Sequence, residues 1–127
     1  MNILGLDYGD VRTGVAYAST EVNIALPVKV IPSHHLLPEL KHLIQEYEIE
    51  HIVLGLPTNL SSGESQQTTK VQEIGKEIQN MFSGTLEYWD ERYTSQLAKR
   101  YLDKKQSIDI ESARILLEEW LQIKTSV

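Results

Sequence analysis

Asp7 closes an apolar run, Ile3-Leu4-Gly5-Leu6, that reads as a short buried strand. A carboxylate at the carboxyl end of such a strand is desolvated unless something pairs with it, and open α/β sheets place their ligands at that end. Asp90 and Glu91, followed by Arg92, come directly after a second strand-like stretch containing Leu86, Tyr88 and Trp89. Alternation along a strand puts Asp90 and Glu91 on opposite faces, so one of the two points into a shared site. Asp109 lies four residues before Ala113, on the helix side that carries Ala113, Leu116 and Trp120, and is therefore aimed at the sheet. Each acid has a plainer explanation: a turn-capping Asp at 7, a surface ion pair with Arg92, and a dipole-favoured acid at a helix start. Together they say more. Three carboxylates at one rim repel one another, and a hard divalent cation with oxygen ligands, Mg²⁺ or Mn²⁺, resolves the repulsion. Two such ions about 4 Å apart activate a water and stabilise the leaving oxygen in phosphodiester hydrolysis.

Other chemistries are poorly served. Cysteine is absent, which excludes disulfides, thiol catalysis and cysteine-built metal sites and fits a reducing cytoplasm. No Ser–His–Asp grouping is evident. His34, His35, His42 and His51 lack the spacing of a metal motif and read as helix-surface and strand-flank residues.

The elements that must carry these residues follow from hydrophobic period. Residues 3–7, 13–19 and 25–31 read as strands, with a turn at Tyr8–Arg12; Pro27 points to an edge strand. Leu36, Leu37, Leu40, Leu43, Ile44 and Tyr47 keep helical spacing, and His51–Leu56 is a continuous apolar run suited to a central parallel strand. After a loop at 57–63, Val71, Ile74, Gly75, Ile78, Met81 and Phe82 mark a second helix, with Gly75 on its inner stripe. Thr85–Asp90 is a fifth strand, 95–102 a short helix, and Ala113, Leu116, Leu117, Trp120 and Leu121 give the last helix its stripe. Three hairpin strands followed by βα crossovers predict an α/β fold: a five-stranded mixed sheet, order 3-2-1-4-5, with helices on both faces.

A chain of 127 residues, 41% hydrophobic, fits a single domain over 1–127. No apolar run approaches the ~20 residues that span a bilayer, and the first residues lack a secretory pattern, so no membrane partner is expected. The net charge of -6 repels phosphate backbones at long range, so nucleic-acid binding needs a local patch or a bound cation. The charge is uneven: residues 1–63 hold three basic side chains against seven acidic, whereas Arg92, Lys99, Arg100, Lys104 and Lys105 face only Asp103.

Four segments together resemble the YqgF/RuvX family. They are Ile3–Gly9 with Arg12-Thr13-Gly14-Val15-Ala16, Ile52–Pro57 with Asn59 and Gly63, Trp89–Thr94, and Asp109 with Ala113 and Leu116-Leu117. The resemblance covers nearly the whole chain. It implies an RNase H-like fold related to RuvC-type Holliday junction resolvases, and a cytoplasmic, metal-dependent nuclease that processes the 5′ end of precursor 16S rRNA. Carried over by position, Asp7, Glu91 and Asp109 would form the catalytic site and bind Mg²⁺ or Mn²⁺. Arg12 and Arg92 would hold phosphates, Asn59 would stand by a phosphate at the next helix, and Lys99, Arg100, Lys104 and Lys105 would follow the RNA backbone. The chain departs from the family in its short segment Asp103–Ile108, with only two lysines, and in Ser112-Ala113 where a pair of alanines is usual. Three alternatives stand beside this: a resolvase acting on DNA junctions, a nucleic-acid-binding protein that has lost hydrolysis, and a sugar-kinase-like ATP site suggested by Asp7-x-Gly9. The last needs a second domain. Either a monomer or a homodimer is compatible with the sequence.

Overall fold

A computed structural model describes the backbone of residues 1–56, 66–90 and 108–125, with side chains for 1–56, 68–90 and 111–124. Strand β1 (Asn2–Tyr8) pairs antiparallel with β2 (Arg12–Ser19), which pairs antiparallel with β3 (Ile24–Pro32). On its other side β1 pairs parallel with β4 (His51–Leu56), and β4 with β5 (Thr85–Asp90). The order is β3-β2-β1-β4-β5, as the hydrophobic pattern predicts. Helices α1 (Leu36–Glu46) and α2 (Gln66–Met81) cover one face, and α3 (Ile108–Thr125) covers the other. The short helix expected at 95–102 lies outside the described residues.

A strand covered on both faces must be apolar on both, and β1 is. Leu4 and Leu6 join Val15, Ile52 and Leu54 beneath Leu36, Leu40, Leu43, Val71 and Ile78. Ile3 faces the other way, with Ala16, Ala18, Ala25 and Val53, against Ala113, Leu116, Leu117, Trp120 and Leu121. Small residues let α3 come close: a Cβ on Gly5 would stand 3.1 Å from Leu117 Cβ and 3.3 Å from the Ala113 carbonyl oxygen. Gly75 plays the same part under α2, because its missing Cβ leaves the space taken by the Tyr88 hydroxyl.

Chain reversals explain the rest of the frame. Pro27 lies on the edge strand, where its lack of an N–H is tolerated, and Val28 is the extra residue of a bulge between the Val15/Lys29 and Ala16/Pro27 pairs. Helix α1 ends in a Schellman arrangement: the Ile49 N–H donates to the Ile44 carbonyl and the Glu48 N–H to that of Gln45. Glu48 holds the left-handed position, φ 52, that glycine usually takes. Among the described residues, no helix is long and apolar enough to cross a membrane.

Candidate acidic site at the carboxyl rim of the sheet

Parallel pairing brings the carboxyl ends of β1, β4 and β5 to one rim. Leu6 pairs with Leu54, and Leu56 with Asp90, so Asp7 and Asp90 stand at nearly the same level. Their strands are separated by β4, two spacings or about 10 Å. Their faces differ. Asp7 follows Ile3 and Gly5 on the side of α3, where it is half-buried, and pairs across the ladder with Gly14. Asp90 follows Leu86 and Tyr88, which pack toward α1 and α2.

The backbone of α3 approaches the same rim. Trp120 stacks on His51, which pairs with Ile3, while Ala113 and Leu117 lie over Gly5. The helix therefore runs antiparallel to β1, with its amino end toward Asp7. Two strand residues separate Gly5 from Asp7, about 7 Å. Four helix residues separate Ala113 from Asp109, about 6 Å along the axis. Asp109, second residue of α3, is thus carried from Gly5 toward the carboxyl rim, on the face of the sheet that Asp7 occupies. The side chain of Asp109, and all of Glu91, Asn59, Arg92, Lys99, Arg100, Lys104 and Lys105, lie outside the described residues. Among the described residues, no three acidic or histidine side chains gather as metal ligands would. Of the three expected acids, Asp7 alone has a described side chain. Its half-buried carboxylate is the hard oxygen donor that Mg²⁺ and Mn²⁺ prefer.

Arg12 opens β2 at this rim. It is exposed and shares the parity of Gly14, Ala16 and Ala18, so it lies on the face of Asp7. The turn between them is tight: the Gly9 N–H donates to the Arg12 carbonyl at 3.0 Å, and a Cβ on Gly9 would approach that oxygen to 2.6 Å. Only glycine fits. Two partners of this turn have no local signature in the sequence. Ser33, beyond the end of β3, binds the turn through its backbone and its hydroxyl. Lys70 of α2 donates to Asp10 at 2.9 Å, which raises the Lys70 pKa.

The histidines divide. His34 and His35 are exposed in a single 3-10 turn, their rings 4.2 Å apart, and His42 is exposed on α1. His51, first residue of β4, stands at the flank of its strand as expected and is buried; its Nε2 lies 3.1 Å from Glu87 Oε1, the oxygen that also accepts from Trp120 Nε1 at 3.1 Å. Lys124 Nζ stands 3.4 Å from Glu87 Oε2. This cluster lies at the amino ends of β4 and β5, away from the acidic rim, and is structural.

The strand order, the central β1 and the helices on both faces define an RNase H-like fold of the RuvC resolvase type. Thermus thermophilus RuvC in complex with a Holliday junction substrate matches with a TM-score of 0.64, over 98% of this chain and 96% of its own, at 11% identity. The sequence profile of the RuvX family, described as Holliday junction resolvase, matches residues 1–123, and the chain belongs to that family. A relative from Desulfitobacterium hafniense (strain DSM 10664 / DCB-2) is 34% identical over 130 residues, 95% of this chain and 92% of its own. Another, from Caldanaerobacter subterraneus subsp. tengcongensis, is 30% identical over 133 residues, 95% and 96% respectively. Both carry the name "Putative pre-16S rRNA nuclease".

Proposed function

We propose that this protein is a cytoplasmic, metal-dependent endonuclease that hydrolyses phosphodiester bonds, processing the 5′ end of precursor 16S rRNA during ribosome biogenesis. One observation carries the proposal: Asp7 stands at the carboxyl rim of the central strand, on the face toward which the amino end of α3 runs. The names of the two relatives supply the substrate. Asp7, Glu91 and Asp109 would hold Mg²⁺ or Mn²⁺ through their carboxylate oxygens. Alternation along β5 supports Glu91 over Asp90, since Asp90 shares the parity of Leu86 and Tyr88, away from Asp7. Bound there, the ions supply an activated water and charge neutralisation at the leaving oxygen. The chain's own part is to orient. Its carboxylates would fix the ion positions, Arg12 and Arg92 grip phosphate oxygens in a fork, Asn59 stands by a phosphate at the next helix, and Lys99, Arg100, Lys104 and Lys105 follow the backbone.

The test is incubation of precursor 16S rRNA with Mn²⁺ and either the wild type or Asp7→Asn. Cleavage by the first and none by the second is the expected result; equal turnover overturns the assignment. The likeness to a resolvase bound to a Holliday junction favours a second reading, cleavage of DNA junctions. Paired cuts need two sites, so that reading requires a homodimer, and a monomer in solution with no action on a four-way junction removes it.

A further inference from the structure

We propose that Ser33 is a positioning residue for nucleic-acid binding, acting through Arg12. The proposal rests on the reading of Arg12 as a phosphate-gripping residue. Ser33 lies outside the β1–β2 turn, 24 residues from Gly9, yet two of its bonds land on that turn and a third on Thr13 at the start of β2. Its N–H donates to the Val11 carbonyl at 2.9 Å, and its hydroxyl donates to the Gly9 carbonyl. A serine hydroxyl has one proton to give. With that proton on Gly9, the 2.9 Å contact between Ser33 Oγ and Thr13 Oγ1 must have Thr13 as donor. Thr13 is fully buried.

The residues on both sides of Arg12 are therefore tied to one residue, Val11 to the Ser33 N–H and Thr13 to its hydroxyl, which also holds Gly9, while the carbonyl of Arg12 itself receives the Gly9 N–H. Any backbone freedom left in the turn is lost when Arg12 grips a phosphate. Holding its backbone in advance removes part of that ordering from the binding step. The anchor comes from the far end of β3, so the turn is fixed to the sheet rather than only to itself. Sequence pattern shows none of this, because Ser33 follows Pro32 as any loop serine would.

The experiment measures dissociation constants for a single-stranded RNA carrying the 5′ region of precursor 16S rRNA. Fluorescence anisotropy is read well below the melting temperature, for wild type, Ser33→Ala, Ser33→Thr, Arg12→Ala and the Ser33→Ala/Arg12→Ala double variant. Ser33→Ala is expected to weaken binding about threefold to tenfold, the size of one neutral hydrogen bond. Ser33→Thr, which keeps the hydroxyl, restores it. The double variant binds no more weakly than Arg12→Ala alone, because the two residues act on one contact. A Ser33→Ala dissociation constant equal to wild type overturns the proposal, as does a loss that adds in full to that of Arg12→Ala. If Arg12→Ala binds as wild type does, the reading of Arg12 falls and the proposal with it. If Arg12→Ala weakens binding and Ser33→Ala does not, only the role of Ser33 falls. Since binding is measured without turnover, absence of cleavage leaves this outcome readable.

Discussion

At the scale of single residues, two carboxylates on the α3 face of the sheet do opposite work. Asp7 stands half-buried at the carboxyl rim of the sheet, and on the reading proposed above its carboxylate serves a cation there. Mn²⁺ at millimolar concentration is expected to raise the melting temperature of the wild type and to leave that of Asp7→Asn unmoved, because a ligand that binds only the folded form stabilises it. A protein without metal affinity would show no shift in either. Glu87 is satisfied within the fold, accepting from Trp120 Nε1 and lying against His51 and Lys124. Glu87→Ala leaves a buried indole N–H without its acceptor and is expected to cost about 1–3 kcal/mol in urea unfolding. Glu87→Gln, which keeps an acceptor oxygen, should lose less. The sequence makes Asp7 conspicuous because an acid ending an apolar strand conflicts with its surroundings. Glu87 and Ser33 conflict with nothing locally, and their partners lie 33 and 24 residues away, so pattern alone passes over both.

At the scale of elements, the proposed site depends on how closely α3 lies on β1. Gly5 sets that distance, and a Cβ there must push Leu117 and Ala113 outward by a few tenths of an ångström. Gly5→Ala is expected to lower stability by about 1–3 kcal/mol, as overpacked cores do. Because Asp109 rides the same helix, RNA cleavage should fall as well, by about tenfold, the effect of a small misplacement of aligned groups. Full activity with a normal melting curve would show that the amino end of α3 does not serve the site. Strand order, the central place of β1 and the edge place of β3 were all legible from periodicity and Pro27, since short connections leave few topologies open. The bounds of α2 were less so. Its first turn, from Gln66, is polar, and the apolar stripe starts only at Val71. The choice between Asp90 and Glu91 could not be read from the chain alone, because alternation says they differ and not which face carries Asp7. Packing of Leu86 and Tyr88 against the core under α1 and α2 puts Asp90 on the face opposite to that of Asp7, while Glu91 lies outside the described residues.

At the scale of the whole molecule, stability responds to pH through Glu119 on α3. Burial pushes its carboxyl pKa up, and its Oε2 has no hydrogen-bond partner among the described residues. Between the ordinary glutamate range and that raised value, the folded chain binds more protons than the unfolded one. Stability therefore falls as pH rises through this window. Glu119→Gln should melt higher than wild type at neutral pH and converge with it under mildly acidic conditions, which thermal melts across that range will show. The far edge of the sheet carries a different consequence. β3 presents Ile24 and Leu26, each more than half exposed, along a border that is the open edge of the sheet. Pro27 removes one donor from that border and the Val28 bulge throws the neighbouring groups out of step, so a greasy margin is kept from becoming a template on which copies of the chain polymerise.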